Sequence, residues 1–268
     1  MNANLTQRII VAAIFAPVIV TSAKLGGIWF IAALIIIALF SVYELLLMHN
    51  AVGAFPEKIL TFSFSAATLV NAHYTKVDET HVILLFVVLL LAVELFRKNG
   101  SPIQNLGAAF LGLLYIPLSL STLIDLRKSD PHGNLIVMIF ACVWIADTFA
   151  YFGGKYLGHL VFKRKFFERH SPNKTWEGFL SGLVGSILTA LVFGETLLTA
   201  IAAEHLWAMG LLIGIFSALG DLVESMLKRD SGVKDSSGLI PGHGGFLDRF
   251  DSLIFSAPVV FLYVKYGM

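Results

Sequence analysis

The stretch HLWAMGLLIGIFSALGDLVESMLK, residues 205–228, decides the fold: it is apolar for long enough to cross a bilayer, yet it carries Asp221, Glu224 and Lys228. A spanning helix needs roughly 20 mostly apolar residues. A carboxylate at membrane depth is costly unless it is paired or metal-bound, so such residues point to function by default. The chain then turns abruptly polar, in RDSGVKDSSGLIPGHGGFLDRFD, residues 229–251.

Outward from that stretch, the whole chain is equally apolar. Hydrophobic residues make up 57% of it and charged residues 14%, with a mean hydropathy of +0.80, which excludes an ordinary soluble domain. The fold class is all-α, a polytopic helical membrane protein with about nine transmembrane helices expected at 9–25, 27–48, 58–74, 80–96, 105–126, 134–157, 176–193, 205–228 and 251–266. The first run resembles a signal peptide in charge and length. Thr21 fits the small-residue cleavage pattern poorly and a second span follows at once, so a retained first helix is expected. Cys142 is the single cysteine, which excludes an intrachain disulfide and a multi-cysteine metal site.

The positive-inside rule sets the orientation. With the N-terminus inside, only Lys24, Lys76, Arg127, Lys128 and Lys265 of the 19 Lys and Arg fall on the outer side. Both long polar loops, residues 158–175 and 229–250, then face the cytoplasm, where nucleotides are available. The net charge of +1 gives no global basic field for nucleic acid. The basic residues between Lys155 and Lys174 are a local cluster, which by itself could serve anionic lipid heads.

The chain divides at about residue 134. Residues 1–133 read as an N-terminal transmembrane scaffold of spans one to five, in which Glu44 and Glu94 sit near span ends and reach the interface. Residues 134–268 hold spans six to nine, both polar loops and the plausible chemistry. No internal repeat supports an inverted-repeat transporter.

Asp221, Glu224 and Lys228 share one helical face, with Ser225 beside Asp221. Hard oxygen ligands suit Mg²⁺, which takes one or two carboxylates and completes its shell with substrate phosphate. A buried carboxylate–lysine pair is the structural alternative, and this helix alone leaves the two level. Asp248 and Asp251 form another i, i+3 pair, of which Asp251 suits a helix-capping role more readily. A metal shared by Asp221 and Asp248 would fasten the eighth span to the ninth. Asp147, Tyr151 and Lys155 share a face of the sixth span. In Ser171-Pro172-Asn173-Lys174-Thr175-Trp176-Glu177-Gly178, Ser171 and Thr175 offer N-cap hydroxyls and Lys174 can neutralise phosphate. The loop glycines, Gly244 and Gly245 among them, allow close approach to phosphate or merely a flexible connector. His243 between glycines is a secondary candidate. No G-x-x-x-x-G-K-[ST], H-E-x-x-H or G-x-S-x-G pattern is present, which weighs against ATPase, zinc protease and serine hydrolase readings.

Three pieces, Ser225-Met226-Leu227-Lys228-Arg229, then Lys234-Asp235, then Ile240-Pro241-Gly242-His243-Gly244-Gly245-Phe246-Leu247-Asp248-Arg249-Phe250-Asp251, closely resemble the signature of the phosphatidate cytidylyltransferase (CDP-diacylglycerol synthase) family. Residues 171–178 resemble its S-P-x-K-T-x-E-G segment. Phe149 departs from the pattern, since a small residue is expected after Asp147-Thr148. The resemblance implies transfer of a cytidylyl group from CTP to phosphatidic acid, giving CDP-diacylglycerol and pyrophosphate in phospholipid biosynthesis. It implies Mg²⁺ on Asp221 and Asp248, with a monovalent cation such as K⁺ beside it, and a homodimer in a bacterial inner membrane. Asp147, Glu224 and Asp251 are further metal candidates. Lys228 and Arg229 join Asp221 and Asp248 as catalytic candidates, neutralising charge. Ser171, Lys174, Thr175, Ser225, Lys234, Asp235, His243, Gly244, Gly245 and Arg249 are the expected substrate contacts. The competing class is an ion-coupled or proton-coupled transporter using Asp147, Asp221 and Glu224.

Overall fold

The computed structural model describes residues 3–158, 160–162, 166–240 and 244–268, and among these the chain is helical with no strand beyond two isolated bridges. The order is α1 (Ala3–Leu25), α2 (Gly27–Ala51), α3 (Lys58–Tyr74), α4 (Glu79–Leu95), α5 (Pro102–Tyr115), α6 (Pro117–Ser129), α7 (Asn134–Leu157), α8 (Trp176–Thr196), α9 (Ala203–Asp230) and α10 (Leu247–Tyr266). Helices are what apolar runs of this length must form in lipid, because hydrocarbon offers the backbone no other hydrogen-bond partner. The helices lie on the nine expected segments, and among the described residues five are long and apolar enough to cross a membrane: α2, α5 and α6 taken together, α7, α8 and α9. α3 and α4 have 17 residues each, and α10 carries Asp248, Arg249 and Asp251 in its first turns.

The expected fifth span, 105–126, is two helices. Pro117 lacks the N–H that would bond one turn back and its ring crowds that carbonyl, so the chain breaks at Ile116 and α6 starts on the proline. His243 and the basic triplet Lys163-Arg164-Lys165 lie outside the described residues.

The chain forms two compact units, one of Met1–Asp125 with Leu227–Phe250, the other of Leu126–Met226 with Asp251–Met268. The first unit therefore holds the N-terminal helices and the second polar loop. Part of its core is Phe86, Leu90, Ala109 and Leu113, packed against Leu60, Phe64, Leu106 and Phe110. Buried Asn105 pins the chain there: its amide nitrogen donates to Glu94 at 2.7 Å and to the Asn99 carbonyl at 2.9 Å, while its oxygen accepts from Phe55 N at 2.6 Å.

The second unit is built on small residues, as expected where close backbone approach must replace the hydrophobic effect between helices. A Cβ at Gly178 would stand 2.8 Å from the Ala150 carbonyl oxygen, and one at Gly182 2.9 Å from that of Ala146, so α8 lies directly on α7. α9 joins this layer through Gly210, whose Cβ would meet Ile187 Cα at 2.7 Å. Phe149 finds its place in the same seam, because Gly185 opposite it leaves room for the ring. Gly182→Ala is expected to destabilise the chain by about 1–3 kcal/mol through overpacking. Gly154→Ala, whose Cβ would meet nothing closer than 3.4 Å, is expected to be neutral or mildly stabilising. Thermal unfolding of both variants in one detergent checks the contrast.

Candidate active site

In the second unit the site begins with a turn. Pro172 sits second in the turn Ser171–Lys174, its ring pre-setting the backbone angle that position requires, and Lys174 N donates to the Ser171 carbonyl at 3.2 Å. Thr175 follows as the N-cap of α8, its hydroxyl accepting from Gly178 N at 3.1 Å. Glu177, in the first turn of the helix and buried, accepts from Val161 N at 3.0 Å and Phe162 N at 2.8 Å, tying the first polar loop to α8.

The turn delivers Lys174 to α9, where its Nζ lies 2.7 Å from Asp221 Oδ2. Ser225, one helical turn on, donates to Asp221 Oδ1 at 3.3 Å. The side chains of Lys174 and Asp221 remain 24% and 40% exposed, so this pair is open to a ligand. α9 has 28 residues, about 42 Å at 1.5 Å per residue, against a hydrocarbon core of about 30 Å. Deeper in the protein, Glu224 and Asp251 are both buried and hydrogen-bond to each other, and the charges of Asp221 and Asp147 act on Asp251. Among the described residues no three His, Cys, Asp or Glu side chains are arranged to hold a metal ion together. Asp221, partly exposed, offers a hard carboxylate oxygen of the kind of which Mg²⁺ takes one or two, water and phosphate oxygens completing its shell.

In the first unit the polar loop folds around Asp248. Its Oδ1 lies 2.6 Å from Lys228 Nζ, with the two side chains only 6% and 11% exposed. Its Oδ2 accepts from Ser236 N at 3.0 Å and Gly245 N at 2.8 Å, and Ser236 Oγ stands 2.9 Å away. Gly244 has φ +79°, and a Cβ there would come within 2.6 Å of Asp248 Oδ2, so both backbone and space demand glycine. Ile240 N closes the loop onto the Gly244 carbonyl at 2.8 Å. Arg229 donates to the Val233 carbonyl at 2.9 Å, beyond the end of α9. Lys234, Asp235 and Arg249 are exposed.

Compared with known proteins, residues 6–267 match the model of the cytidylyltransferase family. The chain belongs to this family. Curated relatives named phosphatidate cytidylyltransferase include one from Synechocystis, 37% identical over 97% of this chain and 96% of the relative. Another, from Bacillus subtilis, is 41% identical over 70% and 68%. A third, from Brucella abortus, is 34% identical over 97% and 93%.

In this cytidylyltransferase the structure joins Lys174, Asp221 and Ser225 in one cluster and Lys228, Asp248, Gly244 and Gly245 in another. It also corrects one sequence expectation. Asp251 is not a helix cap: α10 begins at Leu247, four residues earlier, and Asp248 is the acidic residue of its first turn. Two residues outside the expected site hold the polar loops, and the second of them, expected to reach the interface, is buried instead. One is Glu177. The other is Glu44 of α2, fully buried, whose carboxylate accepts from Ser237 Oγ at 2.5 Å, Leu247 N at 2.8 Å and Phe246 N at 3.0 Å, with Ser236 Oγ 2.8 Å away. Its signal was already present, a carboxylate inside an apolar span.

Lys228→Met removes the cation from a buried carboxylate and is expected to cost about 3–5 kcal/mol of stability. Lys174→Met breaks a pair that water already screens and should cost about 1 kcal/mol or less. Denaturation midpoints of the two variants in the same detergent give the comparison.

Proposed function

We propose that this chain transfers the cytidylyl group of CTP to phosphatidic acid, giving CDP-diacylglycerol and pyrophosphate in phospholipid biosynthesis. The observation that carries the reading is the lysine–carboxylate cluster of Lys174, Asp221 and Ser225, open to a ligand, in a chain that matches the cytidylyltransferase family over residues 6–267. An oxygen of the lipid phosphate attacks the α-phosphorus of CTP. A new P–O bond forms there, the bond to the β-phosphate bridging oxygen breaks, and pyrophosphate leaves with those electrons. A phosphate monoester has its second pKa near about 6, so the nucleophile is already ionised at neutral pH and no dedicated base is required.

The work left to the protein is positioning and charge neutralisation. Lys174, set by its turn beside Asp221, and Ser225 orient phosphate oxygens. Lys228 and Arg229 balance negative charge, and the backbone of Gly244 and Gly245 lies against phosphate. Ser171, Thr175, Lys234, Asp235, His243 and Arg249 complete the substrate contacts. Mg²⁺ is the cofactor, with Asp221 and Asp248 as the carboxylates that the family resemblance implies, Asp147, Glu224 and Asp251 as further candidates, and K⁺ as a companion. When bound, it supplies Lewis-acid neutralisation of the reacting phosphates.

About nine spans lie in a bacterial inner membrane, with the polar loops on the cytoplasmic side, and two copies form a homodimer. Basic residues concentrated in the segments assigned to the inside support the orientation. Asp221→Asn is expected to lower CTP-dependent formation of CDP-diacylglycerol by about a hundredfold or more, the scale of losing a transition-state electrostatic contact, with helicity and elution volume unchanged. Full turnover by that variant would remove Asp221 from the machinery.

A further inference from the structure

The polar loop is held by more than its own internal contacts. It is held by a helix roughly 190 residues earlier in the chain, through contacts that arrive at two positions one helical turn apart. On α2, Phe40 stacks on Phe246 with ring centroids 4.7 Å apart and planes 14° from parallel, while Phe15 of α1 meets the same ring edge-on at 5.8 Å. One turn further along α2, Glu44 receives Phe246 N and Leu247 N, the backbone donors at the start of α10, together with the hydroxyl of Ser237. The N–H groups that begin a helix have no partner within it, and an anion there is favoured by the helix dipole. Ser236 Oγ lies 2.8 Å from Glu44 Oε2 and 2.9 Å from Asp248 Oδ2, so one hydroxyl bridges the two carboxylates. A Cβ on Gly245 would overlap both Ser236 Oγ and Glu44 Oε2, which shows how tightly the loop is drawn onto this residue.

We infer that Glu44 is a positioning residue for cytidylyl transfer: by binding Phe246 N, Leu247 N, Ser237 and, beside it, Ser236, it fixes the Gly244-Gly245 turn and the orientation of Asp248. This rests on the proposed reaction and on the glycine turn lying against CTP phosphate. Glu44 touches no substrate itself. Its length matters as well as its charge, since aspartate at this position is one methylene short of the same donors. The amide of glutamine offers a single acceptor oxygen and turns N–H donors toward groups that are themselves donors.

The test uses the full chain in lipid nanodiscs, as wild type, Glu44→Gln, Glu44→Asp and Ser237→Ala. Two quantities are read: amide exchange across residues 234–249, and the KM values for CTP and phosphatidic acid alongside kcat. Glu44→Gln is expected to raise exchange in that segment and the KM for CTP by about tenfold, the effect of losing a hydrogen bond to a charged group. The KM for the lipid stays unchanged, and Glu44→Asp recovers at most part of the loss. A variant that merely folds less completely lowers the apparent kcat without moving KM. If Glu44→Gln does not fold, Ser237→Ala, which removes one donor from the grip, is expected to give the same pattern at about threefold, in line with a weaker hydrogen bond. Unchanged exchange and unchanged KM for CTP in a folded Glu44→Gln, or in Ser237→Ala if that is the folded variant, overturns the inference. Absence of CDP-diacylglycerol synthesis by wild type would instead overturn the reaction, and the exchange data would still judge the grip.

Discussion

A carboxylate buried in an apolar protein is the constraint around which the polar loop is organised. Glu44 is fully buried, and removing such a group from water costs several kcal/mol unless hydrogen bonds replace the lost solvation. The donors that do so come from Ser237, Phe246 and Leu247, so α2 cannot be buried as it is without the loop closing on it. Asp248 repeats the pattern with Lys228, Ser236 and Gly245. Ser236, Ser237 and Gly245, in a stretch rich in glycine and serine, are thereby held in place.

The second unit reaches rigidity by another route. Gly178, Gly182 and Gly210 bring α7, α8 and α9 to backbone contact, so the turn that carries Lys174 and the helix that carries Asp221 stand on a frame with little room to shift. Their ion pair is left partly exposed, which suits a group that must exchange partners with an incoming phosphate. The pair Lys228–Asp248 is more deeply buried, and the donors Ser236 N and Gly245 N hold its carboxylate in one orientation.

Much of this was legible in the sequence because it is local. Apolar runs predict the helices, and of the two N-cap hydroxyls on offer, Ser171 and Thr175, it is Thr175 that takes the role. Pro117 was equally visible, but an apolar run scanned for length passes through a break that costs only one turn. Asp251 suits a cap in the sequence and is none in the fold, because Phe246 N and Leu247 N at the start of α10 find their acceptors on Glu44, a partner that sequence order places far away. Glu44 escaped for the same reason. A carboxylate near the end of a span reads as reaching for water until its donors are seen. Lys174 was expected to face phosphate, and its pairing with Asp221 came only with the fold.

The central claim is that a lipid phosphate displaces pyrophosphate from CTP on this chain. The most direct measurement supplies the purified protein in nanodiscs with CTP labelled at the α-phosphorus, with Mg²⁺, and with or without phosphatidic acid, and follows label into the lipid phase. The account predicts labelled CDP-diacylglycerol only when both lipid and metal are present, with an equal amount of pyrophosphate released. Lipid-soluble label formed without phosphatidic acid, or none formed by folded protein with all components present, would contradict it.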